Sequence, residues 1–193
     1  MRSRRRLFLS AFLLAFAAVI PTLAGTVVER TLAFVNRRPI LLSEVQLTRA
    51  LLGLDEKEAL ERTIDEVMMF EEASRLLSDA PPPDNLAAAM ATLREIAGPE
   101  FPEAALKRKA LAQIAIASYI DVRLRPLIRV DDAEVTKIFN ERLAKEVPPP
   151  SFTVASVEIR ELLQRRALDQ RIEEWVTSLR RREEVRRPPV AVR

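Results

Sequence analysis

Residues 33–45, AFVNRRPILLSEV, constrain the fold more than any other part of this chain. An alternating stretch rich in β-branched side chains, residues 26–35, leads into a turn signal at residues 36–39 and then into a short return strand. Ser43 followed by Gln46 has the spacing of a capping box, which places the start of a helix directly after the second strand. A small β-hairpin joined to a helix is therefore predicted.

The same kind of helix-start signal recurs twice further along the chain. Asp55 is followed at the capping-box spacing by Glu58, and Asp131 is followed in the same way by Glu134. Each pair precedes a run of apolar residues at helical spacing. These repeated signals predict a mainly α-helical fold with a small N-terminal hairpin.

Two more helices are predicted between these signals, over residues 86–97 and 102–128. Within the second, residues 110–117 are apolar on nearly every side, and a helix that is apolar all round is usually buried. This predicts a central buried rod. Pro126 lies near its end, where a proline kinks or terminates a helix.

The C-terminal part follows a run of three prolines and repeats the strand and helix signals. Residues 152–159 alternate, residues 160–182 have helical periodicity, and residues 184–192 fit an edge strand interrupted by Pro188 and Pro189. Because strand and helix signals stand at both ends of the chain, we expect the two ends to meet in one sheet. Trp175 is predicted to anchor the last helix to the rest of the fold.

The first 24 residues have the pattern of a secretion signal. Four arginines precede residues 7–20, a run in which only Ser10 is polar, and small residues before Gly25 fit a cleavage site. A periplasmic location is therefore predicted. Retention of this segment as a membrane anchor is an open alternative, since the apolar run extended to Ala24 reaches 18 residues.

Removal of that segment changes the charge balance. The whole chain has a formal charge of +3, but four of its 31 basic residues lie in the signal, which leaves 27 basic against 28 acidic residues. The remaining charges alternate in sign along helical faces, as on an ordinary solvated surface. Nucleic acid is therefore not an expected partner.

Missing residue types narrow the chemistry further. The chain has no His and no Cys, which excludes Ser-His-Asp and Cys-His nucleophilic sites and the usual zinc sites. Its three glycines are too few for a dinucleotide-binding or phosphate-binding loop. No catalytic residue, metal ligand or cofactor is predicted, and the chain is expected not to be an enzyme.

Residues 27–45, 63–69 and 123–143 together resemble the N-terminal chaperone domain of the SurA, PpiD and PrsA group of exported foldases. Residues 167–186, ALDQRIEEWVTSLRRREEVR, resemble the C-terminal helix and strand that complete this domain in the same proteins. The resemblance implies a SurA-like helical chaperone fold. It also implies that the chain binds unfolded or unassembled envelope and outer-membrane proteins without catalysis.

The chain departs from this group in one respect. Such foldases usually carry parvulin-type prolyl isomerase domains before the C-terminal helix, and residues 148–159 are too few to hold one. The predicted organisation is a signal at 1–24, a helical chaperone domain at 25–147, a linker at 148–159, and a terminal helix and strand at 160–193. By this resemblance the chaperone module is kept and the catalytic one is missing.

Four side chains are predicted to contact client proteins, because thioethers and aromatic rings adapt to varied apolar ligands. They are Met68, Met69, Met90 and Tyr119. Core packing is the competing explanation for each of them. Three further alternatives stay open: a dedicated interaction or assembly subunit of the cell envelope, a reduced relative of the prolyl isomerases, and a homodimer.

Overall fold

The structure is a computed structural model that describes residues 29–76, 81–143, 145, 148 and 150–188. Within this part, the chain is mainly helical, with a small three-stranded antiparallel sheet, as predicted. The strands are β1 (Thr31–Val35), β2 (Arg38–Leu41) and β3 (Val185–Arg186). The α-helices are α1 (Leu42–Leu52), α2 (Glu56–Leu76), α3 (Pro83–Ala97), α4 (Glu103–Tyr119), α5 (Asp132–Ile138) and α6 (Phe152–Arg182). The predicted signal segment and the chain after Pro188 lie outside the described residues.

The hairpin forms where it was predicted, but its turn is shorter than the predicted four residues. Asn36 has a φ of 53°, in the left-handed region that asparagine tolerates better than most residues. Arg38 already pairs with Val35, and Pro39 lies within β2 opposite Phe34. A proline is tolerated there because β2 is at the edge of the sheet and has one side without a neighbouring strand.

The start of α1 differs from the prediction, in which Ser43 and Gln46 formed a capping box. The helix begins before Ser43, and the carboxylate of Glu44 accepts the backbone N–H of Leu41 at 2.9 Å. Ser43 lies in the first turn, where its N–H and its hydroxyl both donate to the carboxylate of Glu29. The N-cap is therefore Leu41 instead of Ser43, and Glu44 makes the reciprocal contact that was predicted for Gln46.

The other two predicted helix starts are confirmed. The carboxylate of Asp55 accepts the backbone N–H of Glu58 at 2.8 Å at the start of α2. The carboxylate of Asp131 accepts the N–H of Ala133 at 2.9 Å at the start of α5. Both satisfy backbone donors that have no partner within the helix.

The predicted helix over residues 102–128 is divided into three parts. α4 continues into a π-helical turn (Ile120–Leu124) and then a 3₁₀ turn (Arg125–Leu127) that contains Pro126, so the proline ends the helix as expected. The predicted buried rod at 110–117 is only partly correct. Ala110 and Ala112 are buried, but Ala117 is exposed, because in the second half of α4 it is Ile116 and Tyr119 that face the main core.

The last helix is longer than predicted. Residues 152–159, assigned to an alternating segment within a linker, form the first two turns of α6. Phe152 packs edge-on against Phe139 with ring centroids 5.0 Å apart, and Ala155 and Ile159 are buried four residues apart. Burial at a helical spacing therefore decides the conformation of a segment whose alternation also fits a strand.

Three apolar clusters hold these elements together. The largest lies between the sheet, α2 and the second half of α6, where Ile64 and Leu179 are fully buried. Another joins α1, α3 and α4 around Leu106. The third is small and joins α5 to the first half of α6; its buried members are Val135, Ile159 and Leu163.

The two ends of the described chain meet in the sheet, as predicted. β3 pairs antiparallel with β1, so that β1 is the central strand. Asn36 fastens this closure, since its side-chain amide donates to the carboxylates of Glu71 and Glu183 at 3.1 and 2.6 Å. Its side-chain oxygen accepts the backbone N–H of Glu184 at 3.1 Å.

We expect Asn36→Ala to lower the free energy of unfolding by about 2 to 3 kcal/mol, because it removes these hydrogen bonds and leaves a poorly tolerated left-handed residue. Asn36→Gly removes the same bonds but adopts the turn freely, so its expected cost is about 1 kcal/mol. Urea denaturation of both variants measures the difference. Equal losses would show that the left-handed turn contributes nothing to the closure.

Candidate functional site

α6 buries two opposite faces along its 31 residues. Its first half packs Ile159 and its neighbours against α5, whereas its second half packs Trp175 and Leu179 into the main core. With about 100° of rotation per residue, Ile159 and Trp175 point in nearly opposite directions. The face that is buried in the second half of α6 is therefore uncovered in the first half.

An open groove follows this uncovered face. One wall is α6, and the other is the end of the 3₁₀ turn that follows α4. The groove encloses about 470 Å³ and is lined by Arg125, Ile128, Glu161, Gln164, Arg165 and Leu168. It lies near the middle of α6, between the part of the helix that is buried against α5 and the part that is buried in the main core.

Two exposed valines extend the groove toward the start of α6. Val154 is 62% exposed and Val157 is 56% exposed. They share the helix face of Glu161 and Leu168, because residues three or four apart are neighbours on a helix. The groove and the valines together form one continuous strip, called here the α6 groove face.

The α6 groove face is amphipathic. Valine and leucine side chains stand at its two ends, and a carboxylate, an amide and a guanidinium group lie between them. At its rim, Arg125 pairs with Asp121 at 2.9 Å. Such a surface lacks the converging polar groups of a small-molecule site and suits an extended polypeptide with mixed side chains.

The four predicted client-contact residues lie elsewhere and do not form one surface. Met68 is 1% exposed in the main core, so it is unable to touch a client in the folded state. Met69 is half-buried against the same core, and Met90 is half-buried in the cluster of α1, α3 and α4. Tyr119 stacks on Trp175 with ring centroids 4.3 Å apart. Core packing explains the burial of Met68, and client contact stays a prediction for the other three.

The α6 groove face was missed from the sequence for a specific reason. Val154 and Val157 continue the stripe of Leu168 and Trp175 at helical spacing, which is a visible signal. The alternation of residues 152–159, which also fits a strand, obscures that signal. Trp175 itself anchors α6, as predicted.

A buried polar cluster lies between α1, α2 and α4. The ammonium group of Lys109 donates to the carboxylate of Glu66 and to the hydroxyl of Thr48, the latter at 3.1 Å. The hydroxyl of Thr63 lies 3.0 Å from that of Thr48 and donates to the carbonyl of Ala59 at 2.7 Å. Each buried polar group in the cluster therefore has a partner.

Burial raises the pKa of Glu66 above its ordinary value of 4.5, and the charge and hydrogen bond of Lys109 offset part of this effect. The adjoining cavity is about 20 Å³, which is room for about one water molecule. No substrate fits there. We therefore assign the cluster a structural role, as a link between three helices.

Two other classes of site were sought in the described residues. In this part of the chain, no group of three or more Asp and Glu side chains has a geometry that would hold a metal ion. None of the helices within the described ranges is both long enough and apolar enough to span a membrane. The α6 groove face is thus the feature from which a function can be argued.

Comparison of the chain with family models, with curated proteins and with solved structures gives no match. The resemblance to the SurA, PpiD and PrsA group therefore receives no support from these comparisons. Functional arguments for this chain depend on its own residues and on their arrangement.

Proposed function

We propose that this protein is an exported, non-enzymatic chaperone of the SurA type that binds unfolded or unassembled envelope proteins along the α6 groove face. The observation that carries the proposal is the open strip that runs from Val154 to Leu168, in which two valines are exposed, Leu168 is half-buried, and charged side chains lie between them. A folded protein gains nothing from leaving such a strip in water. Its exposure is accounted for when another polypeptide covers it.

The physical properties of the strip fit weak and reversible capture. Each square ångström of apolar surface removed from water stabilises a complex by roughly 25 cal/mol, so a narrow strip provides only modest affinity. Carboxylate and guanidinium groups between the apolar side chains keep the surface solvated when it is empty. A carrier of unfolded chains needs this balance, because it must also release them.

The finer fold and the location belong to the same proposal. A hairpin at the start, helices between, and a terminal helix and strand that return to the hairpin are consistent with a SurA-like chaperone domain. The predicted signal at residues 1–24 supports a periplasmic location. The missing parvulin segment and the absence of histidine and cysteine support a role without catalysis.

We expect the purified protein to suppress light scattering from a urea-diluted outer-membrane protein at near-stoichiometric ratios. Val154→Ser combined with Val157→Ser removes the exposed apolar side chains and is expected to raise the amount of protein needed roughly tenfold. The matched control is Ile96→Ser, which changes a side chain that is 62% exposed on α3, away from the strip. Circular dichroism verifies that all variants fold.

The outcomes separate the site from the function. Suppression that survives in the double serine variant would move client binding away from the α6 groove face. Absence of suppression by the unchanged, folded protein would overturn the chaperone proposal. A pull-down from envelope extracts would then test the alternative, a dedicated assembly subunit, by whether it captures one partner or many.

A further inference from the structure

Three charged side chains of α6, two on the α6 groove face and one beside it, have no ion-pair partners within the described part of the chain. Glu158, Glu161 and Arg165 are exposed, and none of them lies within 4.0 Å of an opposite charge among those residues. In the second half of the same helix, by contrast, Arg180 pairs with Asp65 and Glu61. The groove half of α6 therefore offers both signs of charge to something outside this fold.

The order of these side chains is self-complementary. Val157, Glu161, Gln164 and Leu168 form the central stripe of the face at spacings of four, three and four. When a second copy of this stripe runs in the opposite direction, Val157 faces the partner's Leu168. Glu161 then faces the partner's Gln164. An antiparallel copy would thus match the stripe along its whole length.

The flanking charges come within reach of each other in this register, with an offset of about 3 Å along the helix axis. Glu158 and Arg165 are seven residues apart, so they lie on the same side of the stripe. In an antiparallel helix pair, positions on the same side face each other. Glu158 of one copy then meets the partner's Arg165, and the two-fold axis repeats the contact. A parallel two-fold pair would instead place Glu158 and the partner's Arg165 on opposite sides of the interface, so they would not meet.

We propose that the α6 groove face is the interface between two copies of this chain, paired antiparallel about a two-fold axis that crosses the face midway between the heights of Glu161 and Gln164. In this register, Val157 packs against the partner's Leu168, and Glu161 meets the partner's Gln164. The interface is isologous, as closed dimers require. It involves one helix face over a few turns, so it falls in the size class of weak, reversible associations.

The consequence for client binding rests on the proposed function. A second copy and an unfolded client would cover the same strip, so each excludes the other. The dimer is then the idle form of the protein, with its apolar strip protected, and clients shift the equilibrium toward the monomer. The oligomeric state of the protein alone tests the interface without any client.

Sedimentation equilibrium of the full chain is expected to show a monomer–dimer equilibrium. Glu158→Arg and Arg165→Glu each place like charges at both two-fold related contacts, and each is expected to raise the dissociation constant by roughly tenfold. The matched control, Arg166→Glu, makes the same charge change on the next residue, which points away from the face. It is expected to leave the equilibrium unchanged.

Two complementary experiments decide the register. The double variant Glu158→Arg with Arg165→Glu, and an equimolar mixture of the two single variants, are both expected to dimerise as the unchanged chain does. Because the chain has no cysteine, Val157→Cys with Leu168→Cys is expected to give a disulfide-linked dimer on air oxidation. Val157→Cys alone should link poorly, since its two copies lie about eleven residues apart along the antiparallel pair.

The inference is overturned if the unchanged chain stays monomeric at millimolar concentration, or if charge reversal on both positions fails to restore the dimer. Failure of client capture leaves these results unaffected. Conversely, a monomeric chain that still suppresses aggregation through Val154 and Val157 would retain the proposed function and reject the dimer.

Discussion

Replacement of Trp175 by alanine is expected to lower the free energy of unfolding by about 3 to 5 kcal/mol. The indole lies in the main core and stacks on Tyr119 with an interplanar angle of 12°. It fixes the second half of α6 against the sheet and α2, and β3 follows directly after that helix. Loss of the ring therefore weakens both the core and the closure of the chain. Urea denaturation monitored by circular dichroism measures the effect.

Trp175→Phe is the matched control for this variant. Within the described residues, the indole Nε1 of Trp175 is buried without a hydrogen-bond partner. The change to phenylalanine therefore reduces the buried apolar area but removes no hydrogen bond. The expected cost is about 1 to 2 kcal/mol. If phenylalanine were as damaging as alanine, the indole N–H would have to make a hydrogen bond that contributes to stability.

Local signals in the sequence located much of this fold. Asp55 and Asp131 cap the helices they were expected to cap, because each needs only backbone N–H groups two or three residues away. The hairpin and the end of the helix at Pro126 are equally local. The meeting of the two chain ends was inferred from matching strand signals and is confirmed by the pairing of β1 with β3.

Features that depend on distant residues were not predictable in the same way. Ser43 has the sequence spacing of a cap, but the helix already begins at Leu42, Glu44 accepts the N–H of the N-cap residue Leu41, and Glu29 accepts the Ser43 hydroxyl. Residues 152–159 fit a strand and a helix equally well until Phe139 and the small cluster under α5 select the helix. The α6 groove face depends on that choice, so it appeared only with the structure.

The ion pair of Glu66 and Lys109 was also not predictable from local sequence patterns, because the two residues are 43 positions apart. Lys109→Met is expected to lower the free energy of unfolding by about 3 kcal/mol, because it leaves the partly buried carboxylate of Glu66 beside an apolar side chain without its nearest counter-charge. The hydroxyl of Thr48 also loses the hydrogen bond that it accepts from the ammonium group of Lys109 at 3.1 Å. Urea denaturation at neutral pH measures the loss.

The pH dependence of this loss has a definite sign. Burial already raises the pKa of Glu66, and removal of Lys109 also removes the two larger of the three effects that lower it, leaving only the charge of Arg38. A carboxyl group whose pKa is raised on folding stabilises the fold when protonated, below its ordinary value of 4.5, and that stabilisation disappears as the pH rises through the raised value. The deficit of Lys109→Met relative to the unchanged protein, measured at each pH, should therefore grow from pH 4.5 upward.

Glu66→Leu combined with Lys109→Met separates the loss of a partner from the contribution of the pair. Replacement of a buried ion pair by apolar side chains is often neutral or stabilising by about 1 to 4 kcal/mol, because neither charge has to leave water. We expect the double variant to be at least as stable as the unchanged protein and to have lost the pH-dependent difference. The hydroxyl of Thr48 still has that of Thr63 at 3.0 Å as its partner. If the double variant were as unstable as Lys109→Met, the ion pair itself would stabilise the packing of α2 on α4. The instability of Lys109→Met would then not come from the unpaired carboxylate of Glu66.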